Sequence, residues 1–155
     1  NGGLGRLAAC FVESMATVPV KRANLRLRAG VNRIEQEPDM TDGGVLQVPK
    51  EIIRDHRLNQ EALVAMAVRG CSMEPMLFED DVVVVDMSDN RPISRELYAV
   101  MFDGEACIKQ LLHRGGQWYL HSLHPEHGPI NVRSGDLNII GRVVYQPGRV
   151  VTGRL

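Results

Sequence analysis

Residues 97–113 read LYAVMFDGEACIKQLLH, with an apolar run on each side of Asp103-Gly104. An Asp-Gly pair between two such runs is a strong signal for a β-hairpin, because both central positions of a two-residue turn need a positive φ. The stretch therefore predicts two antiparallel strands, Leu97–Phe102 and Glu105–His113, joined by a tight turn.

The sequence on both sides of this hairpin also favours β-structure. Arg114-Gly115-Gly116 predicts a second turn that leads into a strand over Gln117–Leu123. Val82–Asp86 contains four consecutive valines, and a run of β-branched residues favours a buried strand. Further strands are predicted at Val18–Lys21, Leu25–Ala29, Val45–Val48, Leu63–Arg69 and Leu137–Tyr145. A loop is expected over Glu37–Gly44 and a short helix from Pro49. We therefore predict a mostly β domain, built as bent antiparallel sheets or a partly closed barrel with short helical turns.

Length and composition limit the classes of protein to which the chain can belong. Its 155 residues suffice for one domain and a tail. A formal net charge of -1 at pH 7 provides no basic field, which disfavours a free-standing DNA-binding protein. No apolar run approaches the roughly 18 residues of a membrane-spanning helix. Three cysteines without metal-ligand spacing, and no signal peptide, fit a reducing cytoplasm.

The most unusual local string is Arg69–Met76, RGCSMEPM, between two predicted strands. Gly70 permits a sharp turn and Pro75 favours the first turn of a helix, so Ser72 is expected at a strand-to-helix elbow where it could act as a nucleophile. The alternative is that Ser72 only caps a short helix, which is the commonest role of a serine in this position. A thiolate nucleophile at Cys71 is disfavoured, because adjacent residues at an elbow do not both face one base.

A serine nucleophile needs a group that accepts its proton. Histidine is the usual base, but a neutral lysine can replace it. Lys109 lies in the apolar strand after the Asp-Gly turn, where poor hydration of an ammonium group favours the neutral, basic form. The alternative is that Lys109 lies at a strand edge and extends its charged end into water. Only a pairing with Ser72 favours the first interpretation.

Five segments, in this order and spacing, resemble the LexA-type self-cleaving domain that LexA, the UmuD mutagenesis protein and lambda-type prophage repressors share. They are Val68–Pro75, Asp81–Asp86, Leu97–Val100, Ala106–Leu111 and Ile140–Val144. The resemblance implies the β fold common to LexA and signal peptidase. It also implies a Ser-Lys dyad in which Ser72 is the nucleophile and Lys109 the general base. Backbone amides of Cys71 and Ser72 would then form the oxyanion hole.

In that family the substrate is a small dipeptide of the protein's own chain, which is cut when a RecA filament stabilises the cleavable conformation. The Ala-Gly pair of this chain is Ala29-Gly30, at the end of a predicted strand and ahead of a long loop. Two small residues also suit the close approach of a backbone to a nucleophile. We therefore expect the scissile bond between Ala29 and Gly30. The corresponding division is a linker arm over 1–16, a cleavage-site region over 17–36 and a peptidase and dimerisation domain over 37–155.

The resemblance implies the C-terminal domain of a prophage-type repressor, a cytoplasmic homodimer with no membrane partner. Operator DNA would be bound only through an N-terminal DNA-binding domain outside this chain, which begins at Asn1 rather than Met. One alternative is an UmuD-like accessory protein of a DNA polymerase. Another is a dimerisation module that keeps Ser72 and Lys109 but never cuts. Signal peptidase shares the dyad, but its membrane anchor is not expected here.

Two departures from the family pattern are expected to leave function intact. Glu79-Asp80-Asp81 replaces the usual Gly-Asp, and His124-Pro125 replaces a frequent Asn-Pro. The histidines at 121, 124 and 127, with Glu126, suggest a zinc site, but a spacing of three on a strand and turn does not bring ligands together as helical spacing does. No metal or other cofactor is predicted.

Overall fold

Strands dominate the computed structural model, which describes residues 16–29, 34–39, 44–69, 72–102, 105–132, 137–147, 149–150 and 152. The strands are β1 (Thr17–Lys21), β2 (Asn24–Ala29), β3 (Ile34–Asp39), β4 (Val45–Pro49), β5 (Leu63–Ala67), β6 (Val82–Asp86), β7 (Leu97–Phe102), β8 (Glu105–Arg114), β9 (Gln117–His121), β10 (Ile130–Val132), β11 (Leu137–Gln146) and β12 (Arg149–Val150). Helix α1 covers Lys50–Asp55, and a 3-10 turn covers Gln60–Ala62. The prediction of a mostly β fold is confirmed.

Eight strands form one large antiparallel sheet. Their order is β10-β9-β8-β7-β11-β6-β5, and β12 pairs with β11. Among the described strands, β5 and β10 lie at the two edges of the sheet and do not pair with each other. The sheet is therefore open and does not close into a barrel. Two separate pairs, β1 with β4 and β2 with β3, form two-stranded sheets. Both helical segments in the described ranges are far too short to cross a lipid bilayer.

The two predicted hairpins lie side by side in the large sheet. In the first, β7 pairs with β8 from Leu97 opposite Gln110 to Phe102 opposite Glu105. The turn residues Asp103 and Gly104 lie outside the described residues. In the second, Gly115 and Gly116 have φ values of 58° and 77° and connect β8 to β9. This backbone is the one that a two-residue turn requires.

Central strand β7 is buried on both faces. Leu97, Ala99 and Met101 belong to one apolar cluster, whereas Tyr98 and Val100 belong to another. Successive side chains of a strand point to opposite faces, so β7 contributes to two layers of core. A third cluster joins the β1–β4 pair to the large sheet; it contains Val20, Val48, Leu63, Ala65, Val84, Val144 and Tyr145.

Three boundaries differ from the predictions by two residues or more. The strand predicted over Gln117–Leu123 ends at His121. The predicted loop over Glu37–Gly44 is wrong at its start, because β3 continues to Asp39 and pairs there with Asn24 of β2. An edge strand tolerates Pro38, since only one side of its backbone needs partners. The strand predicted over Leu63–Arg69 ends at Ala67. The Val68 N–H donates instead to the Asp81 carbonyl, and the Val68 carbonyl accepts from the Asp80 N–H. These two hydrogen bonds close the long connection between β5 and β6.

Gly141 provides a test of how tightly the large sheet is packed. A Cβ at this position would contact the backbone oxygen of Asp86 and would lie 2.8 Å from Val85 Cγ1. At Gly128 the same Cβ would meet nothing within 4 Å. We expect Gly141→Ala to lower the free energy of unfolding by about 1–3 kcal/mol, because strands must shift to accept the methyl group. Gly128→Ala should change it by less than about 0.5 kcal/mol. Urea denaturation measures both, and equal stabilities would contradict the close packing at Gly141.

Candidate active site

Ser72 begins a compact series of turns in the β5–β6 connection. The backbone N–H groups of Met76 and Leu77 both donate to the Met73 carbonyl at 3.0 Å. The side chains of Met73 and Leu77 are buried in the main core, which anchors these turns. The predicted strand-to-helix elbow is wrong in its helical part. The N–H of Phe78 donates to the Asp81 carboxylate at 2.9 Å, so the turns do not continue as a helix that Ser72 could cap.

Lys109 meets Ser72 from strand β8. Its Nζ lies 2.7 Å from Ser72 Oγ and 2.8 Å from Ser122 Oγ. The side chain is partly buried, and its amine contacts two hydroxyls instead of extending into water. The structure therefore brings together the two side chains that the sequence predicted as nucleophile and base. A neutral amine at this distance can accept the proton of the Ser72 hydroxyl.

Ser122 was missed by the sequence analysis, although its position could have been read from the second hairpin. The Gly115-Gly116 turn sets the register of β8 and β9, in which Gln110 lies opposite His121. Extending this register by one residue pair places Lys109 opposite Ser122. Side chains that face each other across an antiparallel pair lie close enough to interact. Ser122 is 7% exposed, so its hydroxyl contacts Lys109 in a place that water reaches poorly.

The segment after β9 also holds the backbone of Ser72. The His124 N–H donates to the Ser72 carbonyl at 2.9 Å. The Glu126 N–H in turn donates to Nδ1 of His124 at 3.2 Å. Asparagine side chains make this local bond with a carbonyl oxygen. The imidazole nitrogen thus supplies the acceptor that the more frequent asparagine would supply at this position.

The remaining predicted site residues are only partly described. Ala29 ends β2, and its backbone pairs with Ile34 of β3. Gly30, the other half of the proposed scissile bond, lies outside the described residues. Cys71 also lies outside them, so an oxyanion hole formed by the amides of Cys71 and Ser72 stays a prediction.

The histidine-rich segment near Ser72 makes other contacts. Nδ1 of His121 lies 2.8 Å from Oε1 of Gln110. The rings of His124 and His127 pack edge to face with centroids 5.7 Å apart. Among the residues that the structure describes, no three His, Cys, Asp or Glu side chains come together as ligands of a metal ion would.

Tyr98 supports the hairpin from the position opposite Lys109 in β7. Its hydroxyl donates to the Arg91 carbonyl at 2.9 Å and accepts from the Ile93 N–H at 2.8 Å. Burial raises the pKa of the Tyr98 phenol, because a phenolate would lose its hydration. The native state therefore favours the neutral form. This contribution to stability is complete below the ordinary tyrosine pKa of about 10 and is lost as the pH rises further.

The chain is similar to a family of peptidases and to several transcriptional regulators. A family model described as Peptidase S24-like matches residues 22–144. Repressor protein CI of Enterobacteria phage phi80 is 27% identical over 125 residues, which cover 79% of this chain and 52% of the relative. LexA repressor 2 of Geobacter sulfurreducens is 32% identical over 109 residues, covering 65% and 53%. An uncharacterized HTH-type transcriptional regulator of Coxiella burnetii is 33% identical over 63 residues, covering 39% and 29%. The chain spans about half the length of the two named repressors.

Removing the Tyr98 hydroxyl tests how much its two hydrogen bonds contribute to the free energy of unfolding. We expect Tyr98→Phe to lower the free energy of unfolding by about 1 kcal/mol at pH 7, because two backbone groups lose a partner. Tyr119→Phe is the matched control, since that hydroxyl makes only an exposed 3.4 Å contact with Gln117. Its effect should stay below about 0.5 kcal/mol. In urea denaturation, the difference between wild type and Tyr98→Phe should narrow above about pH 10, where unfolding is favoured by phenolate formation. A constant difference would contradict the burial of a neutral phenol.

Proposed function

Because the chain belongs to the Peptidase S24-like family, we propose that it is the C-terminal domain of a prophage-type transcriptional repressor that dimerises and inactivates itself by cutting its own chain. Family membership supports a serine peptidase or autoprotease. The repressor names of two relatives agree with the resemblance to LexA-type and lambda-type repressors. The observation that carries the proposal is the 2.7 Å separation of Lys109 Nζ and Ser72 Oγ.

The proposed reaction is peptide-bond hydrolysis in two steps. Neutral Lys109 accepts the proton of Ser72 as Oγ attacks the carbonyl carbon of Ala29. The bond to Gly30 then breaks, and the new amino group leaves with the proton that Lys109 held. Water, activated by the same amine, hydrolyses the ester on Ser72. Backbone amides at Cys71 and Ser72 would stabilise the oxyanion in both steps. Each chain reacts once, because its substrate is part of itself.

Self-cleavage would end repression by separating two linked functions. A dimer of this domain holds two DNA-binding domains close together, which raises the effective concentration of the second domain at its half-site. A cut between the domains removes that gain without changing any DNA contact. Names of the relatives include two repressors and an HTH-type regulator, which favour this role over an accessory protein of a polymerase. Stimulation by a RecA filament is part of the proposal through the family resemblance.

The dyad is tested by its dependence on pH. The proposed base must be uncharged, so cleavage of the wild type should accelerate as the pH rises from 7 to 9.5, within the range where Tyr98 remains neutral. Ser72→Ala and Lys109→Ala should each slow cleavage by about 100-fold or more. Lys50→Ala, which removes an exposed lysine, is the matched control and should cut at the wild-type rate. Gel electrophoresis of timed samples measures the rates. Continued cutting by Lys109→Ala would exclude Lys109 as the base.

The position of the cut is tested separately by intact mass spectrometry. The expected products are residues 1–29 and 30–155, and the second should begin with the sequence Gly30-Val31-Asn32. Gly30→Val should slow the reaction, because a branched side chain crowds the backbone that approaches Ser72. Products that join at another bond would overturn Ala29-Gly30. An intact wild type at every pH would instead favour the non-cleaving dimerisation module.

A further inference from the structure

We infer that Ser122 is a positioning residue for the proposed cleavage: its hydroxyl holds the Lys109 amine so that the nitrogen lone pair faces Ser72. This inference rests on the proposed function, since it concerns the same amine. It adds a third side chain to a site in which the sequence indicated only two. Nothing in the Ser-Lys dyad itself requires a second hydroxyl beside the lysine.

A neutral amine offers a small, fixed set of hydrogen-bonding groups. Such an amine has two N–H donors and one lone pair. If Lys109 accepts the proton of Ser72, the lone pair is committed to that bond. The 2.8 Å contact with Ser122 Oγ must then be an N–H donation from Lys109. With one N–H fixed in this way, rotation about the last side-chain bond is restricted, and the lone pair is directed to Ser72.

The same contact also supports the charged form that follows proton transfer. Once Lys109 is an ammonium group, Ser122 Oγ remains its acceptor at an unchanged position. A preorganised acceptor stabilises developing charge without the cost of reorienting solvent. Because Ser122 is 7% exposed, a water molecule cannot readily take the place of the hydroxyl. The Lys109 amine therefore depends on Ser122 in both protonation states.

Residues before and after Ser122 in the sequence are fixed by hydrogen bonds. His121 precedes it and pairs with Gln110 through backbone and side chain. His124 follows it and donates its N–H to the carbonyl of Ser72. One short segment thus fixes the backbone of the nucleophile and the amine of the base. This connection distinguishes Ser122 from a serine that happens to lie near a lysine.

The experiment compares two variants of equal shape, Ser122→Thr and Ser122→Val, in self-cleavage from pH 7 to 9.5. Threonine keeps the hydroxyl and should cut within about threefold of the wild-type rate. Valine lacks it and should cut at least about tenfold more slowly at every pH in this range. The shape of its pH–rate profile should also differ from that of the wild type, because the hydroxyl contacts the amine whose protonation state governs the reaction. Loss of a residue with a purely structural role would leave the shape of that profile unchanged.

Controls separate this inference from general loss of stability and from the proposed function. Ser88→Ala removes a hydroxyl that bonds to the buried Asp86 carboxylate, away from the dyad, and should leave the pH–rate profile unchanged. Thermal unfolding of every variant identifies any loss of fold, and the Thr and Val pair is compared at matched folded fraction. A wild type that never cuts would overturn the proposed function. A wild type that cuts, with Ser122→Val equal to Ser122→Thr in rate and profile, would overturn the role of Ser122 alone.

Discussion

The site depends on a polar amine placed among apolar strands. Burial of an amine is costly unless hydrogen bonds replace those that water would make. Two serine hydroxyls, at 2.7 Å and 2.8 Å from Lys109 Nζ, supply the replacement. The hydroxyls come from different connections of the chain, so the cost is offset only when the fold is complete. The contacts of Lys109 therefore require both connections to be in place beside the large sheet.

Three parts of the chain must be correctly placed for those contacts to form. Strand β8 carries Lys109 between β7 and β9 in the middle of the large sheet. The turns after Ser72 are anchored by the buried side chains of Met73 and Leu77. The connection after β9 bonds to Ser72 through His124. The strand register thus places Lys109, core packing places the turns after Ser72, and one backbone hydrogen bond links Ser72 to the connection after β9.

The sequence predicted the elements whose signals are local. The two hairpins, the valine strand and the short helix near Pro49 depend on turn residues and side-chain type within a few positions. Strands β3, β10 and β12 were missed, because their pairing compensates for weak local preference; β10, for example, has two exposed residues out of three. The helix expected after Ser72 was wrong, since the carboxylate of Asp81 competes for the Phe78 amide. Ser122 could be predicted from the hairpin register, but a serine opposite a lysine carries no local signal that marks it as part of a site.

The chain arm that contains the proposed scissile bond is tied to the core on both sides. Before β2, the Ala23 N–H donates to the Ala65 carbonyl of β5 at 2.9 Å, and the Arg22 N–H donates to the Gly44 carbonyl at 2.8 Å. Gly44 follows β3 in sequence, so this second bond closes the arm at its base. Within it, β2 and β3 pair only with each other in the described sheets. Delivery of Ala29 to Ser72 would therefore not require any ladder of the large sheet to break. For the proposed reaction, attachment of this segment to the core at Ala23 and Gly44 would keep the effective concentration of its own peptide bond high, which would favour cutting within one chain over cutting between chains.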